Sequence, residues 1–372
     1  MTRPTLVVFL SGLSGSPVEE TVAGARRAAA LDSVEAALSS AAFDRAILAI
    51  DEPVPDAEIP GLVIDADDGP FHFGARLSSL INRYHLRSVV YVGGGSVPLI
   101  GPDDFAALVA KLEAHPQGVI TNNSFSSDLV AFPVAANALG AIQALDRDNS
   151  MARALEERAG LTVEELPRTV ATQADIDGPS DLAILALTGE GGPRLRAHLC
   201  TLKLDVSRYE RVLPLFVSRL AQIVVAGRVG SHAWQYLERE TACRVRLFAE
   251  ERGLEAEGRA AAARSLIGFF IDAQGIERFF EVLPQLGDAA LVDTRVLLAH
   301  MRIEATRGDR FNSDLGAWSE ICDPFLREFT RGACEARIPV LLGGHSLMSG
   351  GLMALNEFAW RSQEKAPQHP SS

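Results

Sequence analysis

Apolar runs of strand length alternate with helix-period segments along the first half of this chain, and that alternation narrows the fold more than any other feature. Leu6-Val7-Val8-Phe9-Leu10 is short, continuous and rich in β-branched and aromatic side chains, as a strand covered on both faces should be. Gly12, Gly15, Ser16 and Pro17 break it, and residues 19–42 follow with Ala, Glu, Arg and Leu at near-helical spacing. Further strands are expected at Ala46 to Ile50, Gly61 to Ile64, Ser88 to Val92, Val119-Ile120, Leu129 to Phe132 and Thr169-Val170-Ala171. Helices are expected over 73–85 and from Pro102 to His115. Over about 190 residues this predicts an α/β fold, a mostly parallel sheet with helices on both faces.

At 372 residues the chain exceeds one ordinary core, and its texture changes after Gly189-Glu190-Gly191-Gly192-Pro193. Two domains are therefore expected, 1–192 and 193–372, the second mainly helical with strand candidates at Ala289 to Val292 and Ile338 to Leu342. Thirty-five Lys and Arg against 48 Asp and Glu leave a net charge of −13, which argues against nucleic acid or an anionic membrane as partner. A small phosphorylated ligand stays open. Cys200, Cys243, Cys322 and Cys334 lie far apart, which fits neither a zinc ribbon nor a disulfide scaffold. No apolar run has the length of a signal peptide core or a membrane span, so a cytoplasmic protein is expected.

In open α/β sheets ligands lie beyond the carboxyl ends of the strands, so the loops there carry the chemistry. Ser11 to Pro17 joins the first strand to the first helix, and its glycines suit either backbone approach to a phosphate or a tight turn. Gly93-Gly94-Gly95-Ser96 follows the fourth strand, where three glycines suit close approach of a ligand, the favoured reading, or a sharp strand-to-helix turn. Asp175-Ile176-Asp177-Gly178-Pro179-Ser180-Asp181 opens a helix. Asp175 and Asp177 can meet one hard cation, while Asp181 and Ser180 suit the helix start. Asp65-Ala66-Asp67-Asp68 offers an acid-x-acid pair like that of nucleotide-sugar glycosyltransferases. Thr121 to Asp128, including Asn123, suits either a sugar-orienting loop or a turn.

Taken in order, these loops resemble the nucleotidyltransferase superfamily with the nucleotide-diphospho-sugar transferase fold, most closely its MobA-like branch, over roughly residues 5–190. The resemblance rests on the strand-glycine-helix opening, on Val90 to Leu99 followed by Pro102-Asp103-Asp104-Phe105, on Ser127 to Phe132, and on Asp175 to Leu182. It implies binding of a nucleotide or nucleotide-sugar with Mg²⁺, and attack by a phosphorylated small molecule on the α-phosphorus of an NTP with loss of pyrophosphate. It further implies Gly12, Gly15 and Ser16 beside the triphosphate, and Gly74 with Gly93, Gly94, Gly95 and Ser96 near the nucleoside. Asn123 and Asp128 would be further contacts, and Asp175 or Asp177 the catalytic metal carboxylates. The sequence departs from the pattern in three places. The opening loop lacks the usual Arg and Lys, the first helix offers only Arg26 and Arg27, and Gly94, Gly95 and Ser96 stand where an acid is expected. A non-catalytic nucleotide-binding or scaffold relative is therefore the alternative, and a glycosyltransferase using Asp65 and Asp67 the third reading.

The second half adds Ala226 to Trp234, Glu250-Glu251-Arg252-Gly253, Asp309 to Asp314 and Leu342 to Gly351. The last offers backbone donors, His345 and two hydroxyls after a strand-like run. A Ser-His-Asp hydrolase from His345, Ser346 and Asp314 is an outlying reading without a G-x-S-x-G elbow. His232 and His300 read first as satisfied structural side chains. The helical half would cover the cleft or mediate self-association into a homo-oligomer.

Overall fold

β1 (Thr5–Leu10) is buried along its whole length, because it lies inside a sheet whose two faces are covered by helices. A computed structural model describes residues 3–365 apart from 13–14, 53, 55–56, 67–68, 70 and 252–262. By mutual packing the chain divides into two units, the first drawn from Met1–Leu13, Ala23–Asp175 and Gly191–His198, the second from Ser14–Val22, Ile176–Glu190 and Leu199–Ser372.

In the first unit, β1 is joined by β2 (Ala46–Ile50), β3 (Leu62–Ala66), β4 (Ser88–Gly93), β5 (Gly118–Thr121), β6 (Leu129–Pro133) and β7 (Thr162–Glu165). Their order is β3-β2-β1-β4-β6-β5-β7. β1 runs parallel to β2 and β4, with Val8 opposite Leu48 and Val92, and only β6 runs against its neighbours β4 and β5. Alternate strand residues feed two cores. Leu6, Val8 and Leu10 pack with the helices Pro17–Ser39 and Pro102–Ala114, while Val7 and Phe9 pack with Phe73–Arg83 and Met151–Ala159. The expected mostly parallel, doubly covered sheet is what forms.

Two details differ from expectation. Thr169-Val170-Ala171 is not a strand: the Thr169 hydroxyl accepts from Thr172 N–H and caps the single helical turn Val170–Gln173. The strand is instead β7, whose half-polar Thr-Val-Glu-Glu sequence suits the sheet edge it occupies.

The second unit is mainly helical and also holds a four-stranded parallel sheet of β8 (Gln222–Gly227), β9 (Arg244–Ala249), β10 (Ala289–Asp293) and β11 (Val340–Gly343), ordered β11-β10-β8-β9. β10 and β11 were the two expected strands. β8 carries the β-branched run Ile223-Val224-Val225, fully covered, and β9 alternates as an edge strand. Among the described residues no helix is long and apolar enough to cross a membrane.

Candidate functional site

The carboxyl end of β4 is where the first unit gathers its polar groups. Gly93 N–H donates to the Asp128 carbonyl at 3.1 Å, and the turn Gly94-Gly95 is buried. A side chain on Gly94 would press within 2.7 Å of the Phe9 carbonyl oxygen, so the turn passes directly over the end of β1. Ser96 then bridges to Asp175, and Val97 N–H donates to the Ala174 carbonyl at 3.0 Å. Val97 holds a φ of +44°, a left-handed conformation that a β-branched residue adopts only under constraint.

Beside this turn the Tyr91 hydroxyl donates to Asp148 Oδ2 at 2.7 Å. That oxygen lies 3.9 Å from where a Cβ on Gly93 would stand. Burial raises the Asp148 carboxyl above its usual range, with the Tyr91 hydrogen bond and the Arg26 charge opposing it. Burial likewise drives the Tyr91 phenol well up, keeping it a neutral donor. Arg26 Nε is buried with no hydrogen-bond partner among the described residues, which leaves a cationic donor in this acidic neighbourhood. Asp148 and Tyr91 were missed from sequence: one sits in a plain turn-like Asp-Arg-Asp-Asn-Ser stretch and the other inside an apolar strand. Asp148 nonetheless brings a carboxylate close to the stretch where the sequence lacks an acid.

The expected site residues divide. Gly93, Gly94, Gly95, Ser96, Asp128 and Asp175 come together around the β4 turn. Asn123 closes a turn, its side-chain oxygen accepting from Phe125 N–H at 3.1 Å, while neighbouring Asn122 holds the Asp128 and Leu129 amides. Gly12 N–H is already taken by Asp51 Oδ1 at 2.8 Å, and the Glu52 carboxyl packs against its α-carbon. Gly15 and Ser16 belong to the second unit, where Ser16 Oγ donates to Glu19 Oε2 at 2.8 Å. Leu13 and Ser14 of that loop lie outside the described residues.

Gly74 is explained by packing. A side chain there would overlap the Ile142 carbonyl, and its N–H donates to Leu145 O at 2.9 Å, so close contact between chain segments already requires the glycine. Asp177 is exposed and belongs to the second unit, whereas Asp175 belongs to the first. Among the described residues no group of three or more His, Cys, Asp or Glu converges as a metal cage.

The third reading loses its first ligand. Asp65 accepts from Arg83, Arg76 and the Tyr84 hydroxyl at 2.6–2.9 Å; burial would raise its carboxyl, but these donors hold it below the ordinary value. Asp67 and Asp68 lie outside the described residues. The Ser-His-Asp reading fails too, since His345 Nδ1 meets the Arg228 carbonyl, Ser346 meets Asp181, and Asp314 is clamped by Arg295. His300 is a satisfied structural residue, between Ser265 N–H and Asp272. Glu250 caps the helix Leu266–Gln274 with help from Ser265; Arg252 and Gly253 lie outside the described residues.

No protein-family model matches the chain, and no curated protein does. Among solved structures, a protein from Desulfovibrio desulfuricans assigned as a nucleotide-diphospho-sugar transferase is similar at a TM-score of 0.42 and 15% identity, over 54% of this chain and 95% of that one. A 4-diphosphocytidyl-2C-methyl-D-erythritol synthase from Anaerococcus prevotii gives 0.32 and 10%, over 44% and 88%. A CMP:2-keto-3-deoxy-manno-octonic acid synthetase solved with CTP gives 0.30 and 12%, over 44% and 89%. These likenesses are of fold, and none singles out the MobA-like branch.

Proposed function

We propose that the first unit binds a nucleotide at the carboxyl ends of β1 and β4 and that the chain is a nucleotidyltransferase. It would join an NTP to a phosphorylated small molecule and release pyrophosphate. One observation carries the reading: a constrained glycine turn after β4 crosses β1 beside Arg26, Tyr91 and Asp148. In the reaction, a phosphate oxygen of the second substrate attacks the α-phosphorus and the bond to the β-phosphate breaks. Arg26 would face the charge that builds on the phosphates. Asp148, held by Tyr91, would be the carboxylate of the site. Mg²⁺ would come with the polyphosphate, as is usual for that ion.

Pyrophosphate release should be measured with each NTP, Mg²⁺ and a panel of phosphate esters, alongside calorimetric NTP binding. Turnover that falls about 100-fold or more in Asp148→Asn supports the proposal. No NTP binding and no pyrophosphate from any pair would end it.

The non-catalytic reading keeps an observation of its own. Asp51 and Glu52 present carboxylates at Gly12, where a triphosphate would meet like charge. It predicts binding without turnover, tightened by Glu52→Gln. Turnover by the wild-type chain excludes it.

A further inference from the structure

β8 and β10 are adjacent and parallel, yet the chain leaves β8 toward β9 on one side and β10 toward β11 on the other. That reversal makes the carboxyl ends of β8 and β10 the crevice of the second sheet. Two arginine forks stand there. Arg228 Nε and Nη2 donate to the Asp293 carboxylate at 2.6 and 3.2 Å, and Arg295 Nη1 and Nη2 donate to Asp314 at 2.5 and 2.7 Å. Both carboxylate side chains are 0% exposed, whereas Arg228 and Arg295 remain 28% and 19% exposed. The two acids are fully covered, while each arginine side chain keeps part of its surface open to solvent. Buried ion pairs of this kind add little stability over apolar packing, so two at one strand edge call for another role.

The surroundings suit an anion. The loop Gly227-Arg228-Val229-Gly230 leads into the ten-residue helix Ser231–Glu240, whose N-terminus no side chain among the described residues caps. Gly227, at φ +137°, lets this loop close on Asp293, where any side chain would collide with the Asp293 Cβ. His345 is pinned by the Arg228 carbonyl, and Arg295 Nη1 also reaches the Gly343 carbonyl at 3.2 Å. Ser180 Oγ, on a residue 0% exposed, has no hydrogen-bond partner among the described residues and faces Gly343, 3.1 Å from where its Cβ would stand. A buried hydroxyl without a partner is costly, and it points at the same strand end as the Arg295 fork.

We propose that this edge of the second sheet is a further binding site, taking a small phosphate-bearing ligand between the Arg228 and Arg295 forks and the start of the helix Ser231–Glu240. Two acids offset the two arginines, so the helix amides, Ser180 and the partly open arginine side chains supply the net attraction. Planar forks match phosphate oxygens better than a point charge does.

Hydrogen exchange of the full chain, with inorganic phosphate up to about 10 mM and chloride at equal ionic strength as control, tests this. Phosphate alone should slow exchange within 228–236 and 343–348, and Arg228→Lys, which keeps the charge and the Asp293 pair, should weaken phosphate binding roughly tenfold. Unchanged exchange in both segments, equal slowing by chloride, or unaltered affinity in Arg228→Lys overturns the site. Should the variant melt early, the wild-type exchange decides. Amides of 93–97 report the first unit independently, so failure there and failure here are distinguishable.

Discussion

Burial pushes the Asp181 carboxyl up to about 8, the charge of Asp177 adds to the rise, and the Ser346 hydrogen bond and the amides of Gly178 and Asp177 oppose it. In the unfolded chain the same carboxyl titrates at its ordinary 3.8, so the folded protein binds the proton more tightly. The stability this group contributes is full below that value and is lost as pH rises toward 8, at most about 1.4 kcal/mol per pH unit. Asp181→Asn keeps an oxygen for the two amides, which both reach Oδ2 at 2.8–2.9 Å, and removes the titration. Denaturant midpoints taken from pH 5 to 8.5 should therefore show the variant gaining on the wild type as pH rises. Parallel curves would mean that Asp181 titrates as an ordinary carboxylate.

At the scale of elements, the sequence of the first unit was most legible where burial is complete. β1, β2 and β4 are continuous apolar runs because both their faces are covered, and their loops could be located from that alone. The partners of those loops were not legible. Nothing near Gly12 announces that Asp51, 39 residues away, takes its amide, or that Tyr91 reaches Asp148 across 57 residues. Edge strands β7 and β9 were overlooked since half their residues face water and read as loop or helix, and covered β8 was overlooked because its short Ile223-Val224-Val225 run sits in helix-like sequence. Capping across distance was equally hidden. Asp32, in the helix Pro17–Ser39 and 7% exposed, accepts from the Arg194 and Leu195 amides at 3.0 and 2.8 Å and caps the helix Pro193–Thr201. Asp32→Ala should cost about 1–2 kcal/mol in urea denaturation and Asp32→Asn clearly less. Equal losses would show that the carboxylate matters through charge and not as an acceptor.

For the whole molecule, the segment Ile176–Glu190 counts with the second unit although it precedes that unit's sheet by more than thirty residues. Its helix Pro179–Thr188 buries Leu182, Ile184 and Leu185 almost completely, and Ile184 Cδ1 lies 3.0 Å from the Cβ position of Gly351. Three such side chains are worth roughly 5–9 kcal/mol, comparable with the entire stability of an ordinary domain. Removing them would also strip Ser346 of Asp181. A fragment of residues 193–372 should therefore lack a cooperative melt and native near-ultraviolet dichroism, whereas 176–372 should regain much of both. If 193–372 melts as sharply as the longer fragment, the helix Pro179–Thr188 contributes no essential part of the second core, and Ser180 would lose its standing as a donor built into the strand-end site.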